Sequence, residues 1–154
     1  MRRRFLLTIL AALVLAPASH AASLSRFASA DTEWVSLERG TGSAVLQARK
    51  GAVFGRIARG RVVITNLPRR GRRPSFSGCD RRQRLDRRTV LCAGRGLHFS
   101  IRGDWRVAGR GVGVDMSAVI RGTLTVKGSE GTYSIGGGSK HRWPRRARTF
   151  RIGG

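Results

Sequence analysis

Arginine is the side chain through which this sequence can do chemistry, by number and by spacing. Nine fall in residues 67–88 (LPRRGRRPSFSGCDRRQRLDRR): Arg69, Arg70, Arg72, Arg73, Arg81, Arg82, Arg84, Arg87 and Arg88, against two Asp. Arg142, Arg145 and Arg146 form a second set beside His141 and Trp143 in KHRWPRRARTFR, which holds no acid. Guanidinium forks match phosphate, sulfate and carboxylate oxygens two at a time. Stacking on nucleic-acid bases needs aromatics between the charges. Only Phe76 interrupts the first set, so a dedicated single-strand nucleic-acid reader is not expected.

Other chemistry is thin. Cys79 and Cys92 are the two cysteines, and in an exported protein an even pair reads as a disulfide. A zinc site would need His98 and His141 as partners, and Cys-x12-Cys-x5-His-x42-His fits no common zinc module. Ser100, His98 and Asp104 crowd into one hairpin, which is not triad geometry. Gly109-Arg110-Gly111-Val112-Gly113 lacks the strand-turn-helix context of a dinucleotide site. Arg102-Gly103-Asp104 spells an adhesion tripeptide but falls where a glycine turn is already required. Trp143 is expected to pack on the domain edge beside Pro144. The sequence thus predicts no catalytic residue, cofactor or metal.

The compartment follows from the first residues. Arg2, Arg3 and Arg4 precede an apolar run from Phe5 to Ala16, then Pro17 and the small residues Ala21 and Ala22. These are the three parts of a secretory signal, with cleavage expected after Ala21 or Ala22. The run is too short to span a bilayer. Ordinary secretion is preferred to the twin-arginine route, since the RRxFL match lacks its usual flanks. Removing the three arginines of residues 1–21 from the formal +23 leaves +20. Such a field attracts anionic polymers or anionic membrane surfaces. Arginine, glycine and alanine also accumulate in GC-rich coding, so a purely compositional origin of the charge is the alternative.

These side chains must be held by strands. After a flexible lead-in at 22–32, a single β-domain is expected over 33–154. Short β-type runs at 44–48, 52–54 and 61–65 are separated by Lys50-Gly51 and Arg59-Gly60. Leu97, Phe99 and Ile101 alternate with polar residues; Val112, Val114, Met116, Ala118, Ile120, Leu124 and Val126 all take even positions. Period two means strands with one buried face. No segment has a helical apolar stripe. Short turns join antiparallel neighbours, so the expectation is an all-β antiparallel sandwich or barrel-like roll. Arg-Gly at 59, 95, 102, 110 and 121 suggests a β-solenoid as the alternative. Residues 67–88 should be an exposed excursion, residues 140–154 a basic tail, and 136–139 its hinge.

The stretch Gly94–Gly137 (GRGLHFSIRGDWRVAGRGVGVDMSAVIRGTLTVKGSEGTYSIGG), with Ala52–Gly60 (AVFGRIARG), resembles uncharacterised exported β-rich proteins of high-GC actinobacteria. The resemblance implies export and a β fold, and brings no activity, cofactor or site residue. The expected function is a non-enzymatic secreted or cell-envelope protein that holds anionic polymer through arginine. The alternative is a structural β module that self-assembles or binds protein partners.

Overall fold

The computed structural model describes Leu24, residues 28–66 and residues 73–154. The expected export signal lies outside those residues. Among the described residues there are seven strands: β1 (Glu33–Asn66), β2 (Ser75–Ser77), β3 (Arg81–Arg84), β4 (Thr89–Arg102), β5 (Trp105–Ile135), β6 (His141–Arg142) and β7 (Arg148–Ile152). Every pairing is antiparallel. The all-β antiparallel expectation is met. The expected short strands are not what the chain builds. Lys50-Gly51, Arg59-Gly60, Gly109-Arg110-Gly111 and Gly128–Gly131 lie inside two very long strands, β1 and β5.

The register of those two strands shows how the chain runs. Residues 33–48 of β1 pair with 105–120 of β5, and residues 51–66 of β1 pair with the same stretch. Ala48 faces Trp105 while Gly51 faces Ile120. Three residues reach at most about 10 Å, whereas a straight 105–120 would be about 50 Å long. Both strands must therefore curl back on themselves, and β1 makes two passes with β5 between them. The Trp105 indole N–H donates to Gly51 O at 3.3 Å and Gly103 N–H donates to the same oxygen at 2.8 Å, which ties the ends of the pass together. The successive neighbours are β3 with β2, then β4, 51–66, 105–120, 33–48, 122–135, and finally β6 with β7.

Each pass bends at glycine. Gly94, Gly60, Gly111, Gly42 and Gly128 pair with one another in that order across five passes. A Cβ on Gly60 would lie 2.2 Å from Arg110 O, and one on Gly111 2.2 Å from Arg59 O. Bare glycine lets the backbones close up at the bend, so the ladder continues through it. The buried face changes parity there. Val35 and Leu37 are buried before the bend, Ala44, Leu46 and Ala48 after it; Trp105 and Val107 give way to Val114, Met116, Ala118 and Ile120. These side chains form one core with Val53, Ile57, Val62, Ile64, Leu97, Phe99 and Ile101.

A second bend, at 49–51, 103–104 and 121–122, splits each circuit into two sides. Within Arg102-Gly103-Asp104, Arg102 ends β4 and Gly103-Asp104 is the two-residue connection to β5, as expected for a turn. Leu24, from the stretch expected as a flexible lead-in, is buried on the outer face with Ala52 and Val119, beside Trp34 and Phe54. Among the described residues no helix is long and apolar enough to cross a membrane.

Candidate anion-binding surface

Residues 75–84 are not the loop that their arginines and turn residues suggest. β2 and β3 pair with β4 and make one edge of the sheet. The Cys79–Cys92 disulfide, with Cα atoms 5.4 Å apart, bonds this edge to the buried Cys92. The open side of β4 needs hydrogen-bond partners, and the disulfide holds β3 where it supplies them. All four β3 residues remain exposed. Arg81 Nη2 donates to Gln83 Oε1 at 3.1 Å, and the Arg82 guanidinium lies 5.3 Å from the centre of the Phe76 ring. Both contacts orient arginine without neutralising it. Asp86, in the turn before β4, is committed to backbone: its Oδ1 accepts from Arg88 N–H at 2.7 Å and Thr89 N–H at 2.8 Å. The Arg88 backbone N–H above all, then the Thr89 hydroxyl, hold its carboxyl below the usual range.

Of the arginines singled out from the sequence, Arg73, Arg81, Arg82, Arg84, Arg87 and Arg88 are exposed at this edge. Arg69, Arg70 and Arg72 lie outside the described residues. Arg142, Arg145 and Arg146 are exposed at the opposite edge, on β6 and in the turn before β7. The basic tail is itself sheet: β7 pairs with 122–126 and its Ile152 is fully buried. The glycine stretch before it is a turn, with Gly136 N–H donating to Trp34 O. Trp143 is buried, as expected. Its ring covers Gly40 and Gly128, and its indole N–H donates to Thr132 O at 3.0 Å.

The two arginine sets are therefore not one site. Six inter-strand steps of about 4.8 Å put β3 and β7 roughly 30 Å apart along the sheet. What joins them is a row the sequence reading missed. Arg81 pairs with Ala93, Ala93 with Arg61, Arg61 with Arg110, Arg110 with Ser43, and Ser43 with Lys127. Arg61, Arg110 and Lys127 are exposed, and each alternates with a buried neighbour two positions or fewer away. No acid stands in this row. The ion pairs among the described residues, Arg56–Asp115, Arg121–Asp31 and Lys140–Glu38, lie off it. The signal for the row was in the sequence: Gly60-Arg61, Arg110-Gly111 and Lys127-Gly128 set a basic residue beside a ladder glycine each time.

Arg49, Arg121 and Arg151 line a cleft at the second bend with Gln47 and Thr123. His98 and Ser100 project from the outer face of β4, while Asp104 sits in the turn after it. His141 lies against Tyr133, ring centres 5.5 Å apart. No known family model, curated protein or solved structure matches this chain.

Proposed function

We propose that this protein is exported and holds linear anionic polymer along the Arg81–Arg61–Arg110–Lys127 row, as a non-enzymatic component of the cell envelope or extracellular space. The row itself carries the reading. It connects two arginine-rich edges on a side of the sheet whose strands contribute no acid to it, and its length suits a polymer better than a small anion. Regularly spaced cations displace counterions from such a chain, so binding should weaken steeply with salt. We also take the wound antiparallel sheet to be the barrel-like roll anticipated above. Arginine along both edges opposes strand-to-strand self-assembly, which weighs against the structural-module alternative.

Retention on immobilised heparin and on anionic wall polymer tests this. The protein should stay bound at about 0.15 M salt. The variant Arg61→Gln/Arg110→Gln/Lys127→Gln should elute earlier, with its salt slope lower by about one unit per cation removed. Elution at that salt, unchanged in the variant, overturns the proposal. Anionic vesicles run in parallel separate a membrane surface from a polymer.

A further inference from the structure

The cleft at the second bend is built from three neighbouring passes. Thr123 pairs with Gln47 on one side and with Arg151 on the other, so these three stand in one row across 33–48, 122–135 and β7. Arg49 and Arg121 enter from the bend itself, where Ala48 pairs with Gly122 and Lys50 with Arg121. Gly122, Gly153 and Gly154 bring backbone but no side chain to the lining, and the space left is about 480 Å³. That size accommodates a small ligand. No acidic side chain is among the lining residues. Of the acids nearby, Asp31 lies 3.7 Å from Arg121, and Glu33 accepts Gly153 N–H at 3.2 Å. Among the described residues neither Arg49 nor Arg151 has an ion-pair partner.

We infer that this cleft binds a small phosphomonoester by its terminal phosphate. Arg49 and Arg151 present two unmatched charges, and a phosphomonoester brings about −1.5 to −2 near pH 7. Its three terminal oxygens accept guanidinium forks from different strands at once. The Thr123 hydroxyl and the Gln47 amide add neutral donors beside them. A sulfate monoester of the same shape carries a single charge and leaves one arginine unmatched. The volume beyond the phosphate takes the group it is esterified to. None of the cations of the polymer row lines the cleft. Gln47 lies about 13 Å along β1 from Ser43 of that row, so the inference does not rest on the polymer reading.

Calorimetric titration with glucose 6-phosphate, inorganic phosphate and glucose 6-sulfate tests it. Glucose 6-phosphate should bind with a single equivalent per chain, and inorganic phosphate should compete for the same site. Glucose 6-sulfate should bind about tenfold more weakly or worse, as should glucose 6-phosphate to Arg49→Gln/Arg151→Gln, which loses both unmatched forks. Thr123→Val should weaken binding by a smaller factor. All three positions are exposed, and circular dichroism of each variant checks that the sheet is intact. The Arg61→Gln/Arg110→Gln/Lys127→Gln variant should bind glucose 6-phosphate as before. Failure of glucose 6-phosphate to bind at millimolar concentration, uptake of several equivalents, equal affinity for the sulfate, or binding indifferent to Arg49→Gln/Arg151→Gln overturns the inference whatever the heparin column shows.

Discussion

Single residues set the shape of this protein where backbones crowd. Gly111 and Gly96 make the contrast measurable. A Cβ at Gly111 would strike Arg59 O, while at Gly96, with φ 62°, nothing lies within 4 Å. Gly111→Ala should cost on the order of 3 kcal/mol or more in denaturant unfolding, and Gly96→Ala only about 1–2 kcal/mol of left-handed strain. Equal losses would mean that conformation, not close approach, selects glycine in the ladder. Arg39 takes a left-handed φ of 49° without being glycine, and the Asp115 carboxylate on its N–H holds it there. Asp86 provides the pH-sensitive contact. Its carboxyl sits below the ordinary 3.8 in the folded state. The stabilisation is therefore complete above the unfolded value and is lost as pH falls through the lower folded one. Asp86→Asn should flatten the stability curve below about pH 4, measured by urea unfolding across that range.

Among the elements, the β2–β3 edge depends most on covalent help. It is short, exposed and crowded with like charge, and the disulfide closes a loop with a sequence separation of 13. Reduction, or Cys79→Ala with Cys92→Ala, should remove about 3 kcal/mol. Hydrogen exchange should accelerate first in the amides of Arg81–Arg84, while those of 51–66 facing β5 stay protected. Uniform acceleration would instead make the disulfide a support of the whole sheet. Period two over 97–101 and 112–126 made strands and their buried face readable from sequence. The number of strands was not readable, because Arg59-Gly60 and Gly109-Arg110-Gly111 look the same whether the chain reverses there or merely bends. The parity change of the core residues at each bend was the missed clue. Clustering exposed Arg81, Arg82 and Arg84 to sequence reasoning, whereas only the antiparallel register brings Arg61, Arg110 and Lys127 into line.

At the scale of the whole molecule the two sides of the wound sheet differ in charge: cations stand in a row on one, and the Arg56–Asp115 ion pair lies on the other. Two of the three lysines report on this. Lys127 stands in the row, whereas Lys140 is paired with Glu38 at 2.7 Å. Bound heparin should shield Lys127 from amine acetylation and leave Lys140 reactive, read by mass spectrometry of the digested protein. Equal shielding of both would mean diffuse adsorption. The interleaving of β1 and β5 has a consequence for biosynthesis. The first pass of β1, although made early, has residues 105–120 and 122–135 as its only ladder neighbours among the described residues, so it must wait for most of the polypeptide to leave the ribosome. Contacts of such long sequence range also form slowly. A nascent chain that cannot close prematurely stays threadable, which is the condition a narrow translocation pore demands of its cargo.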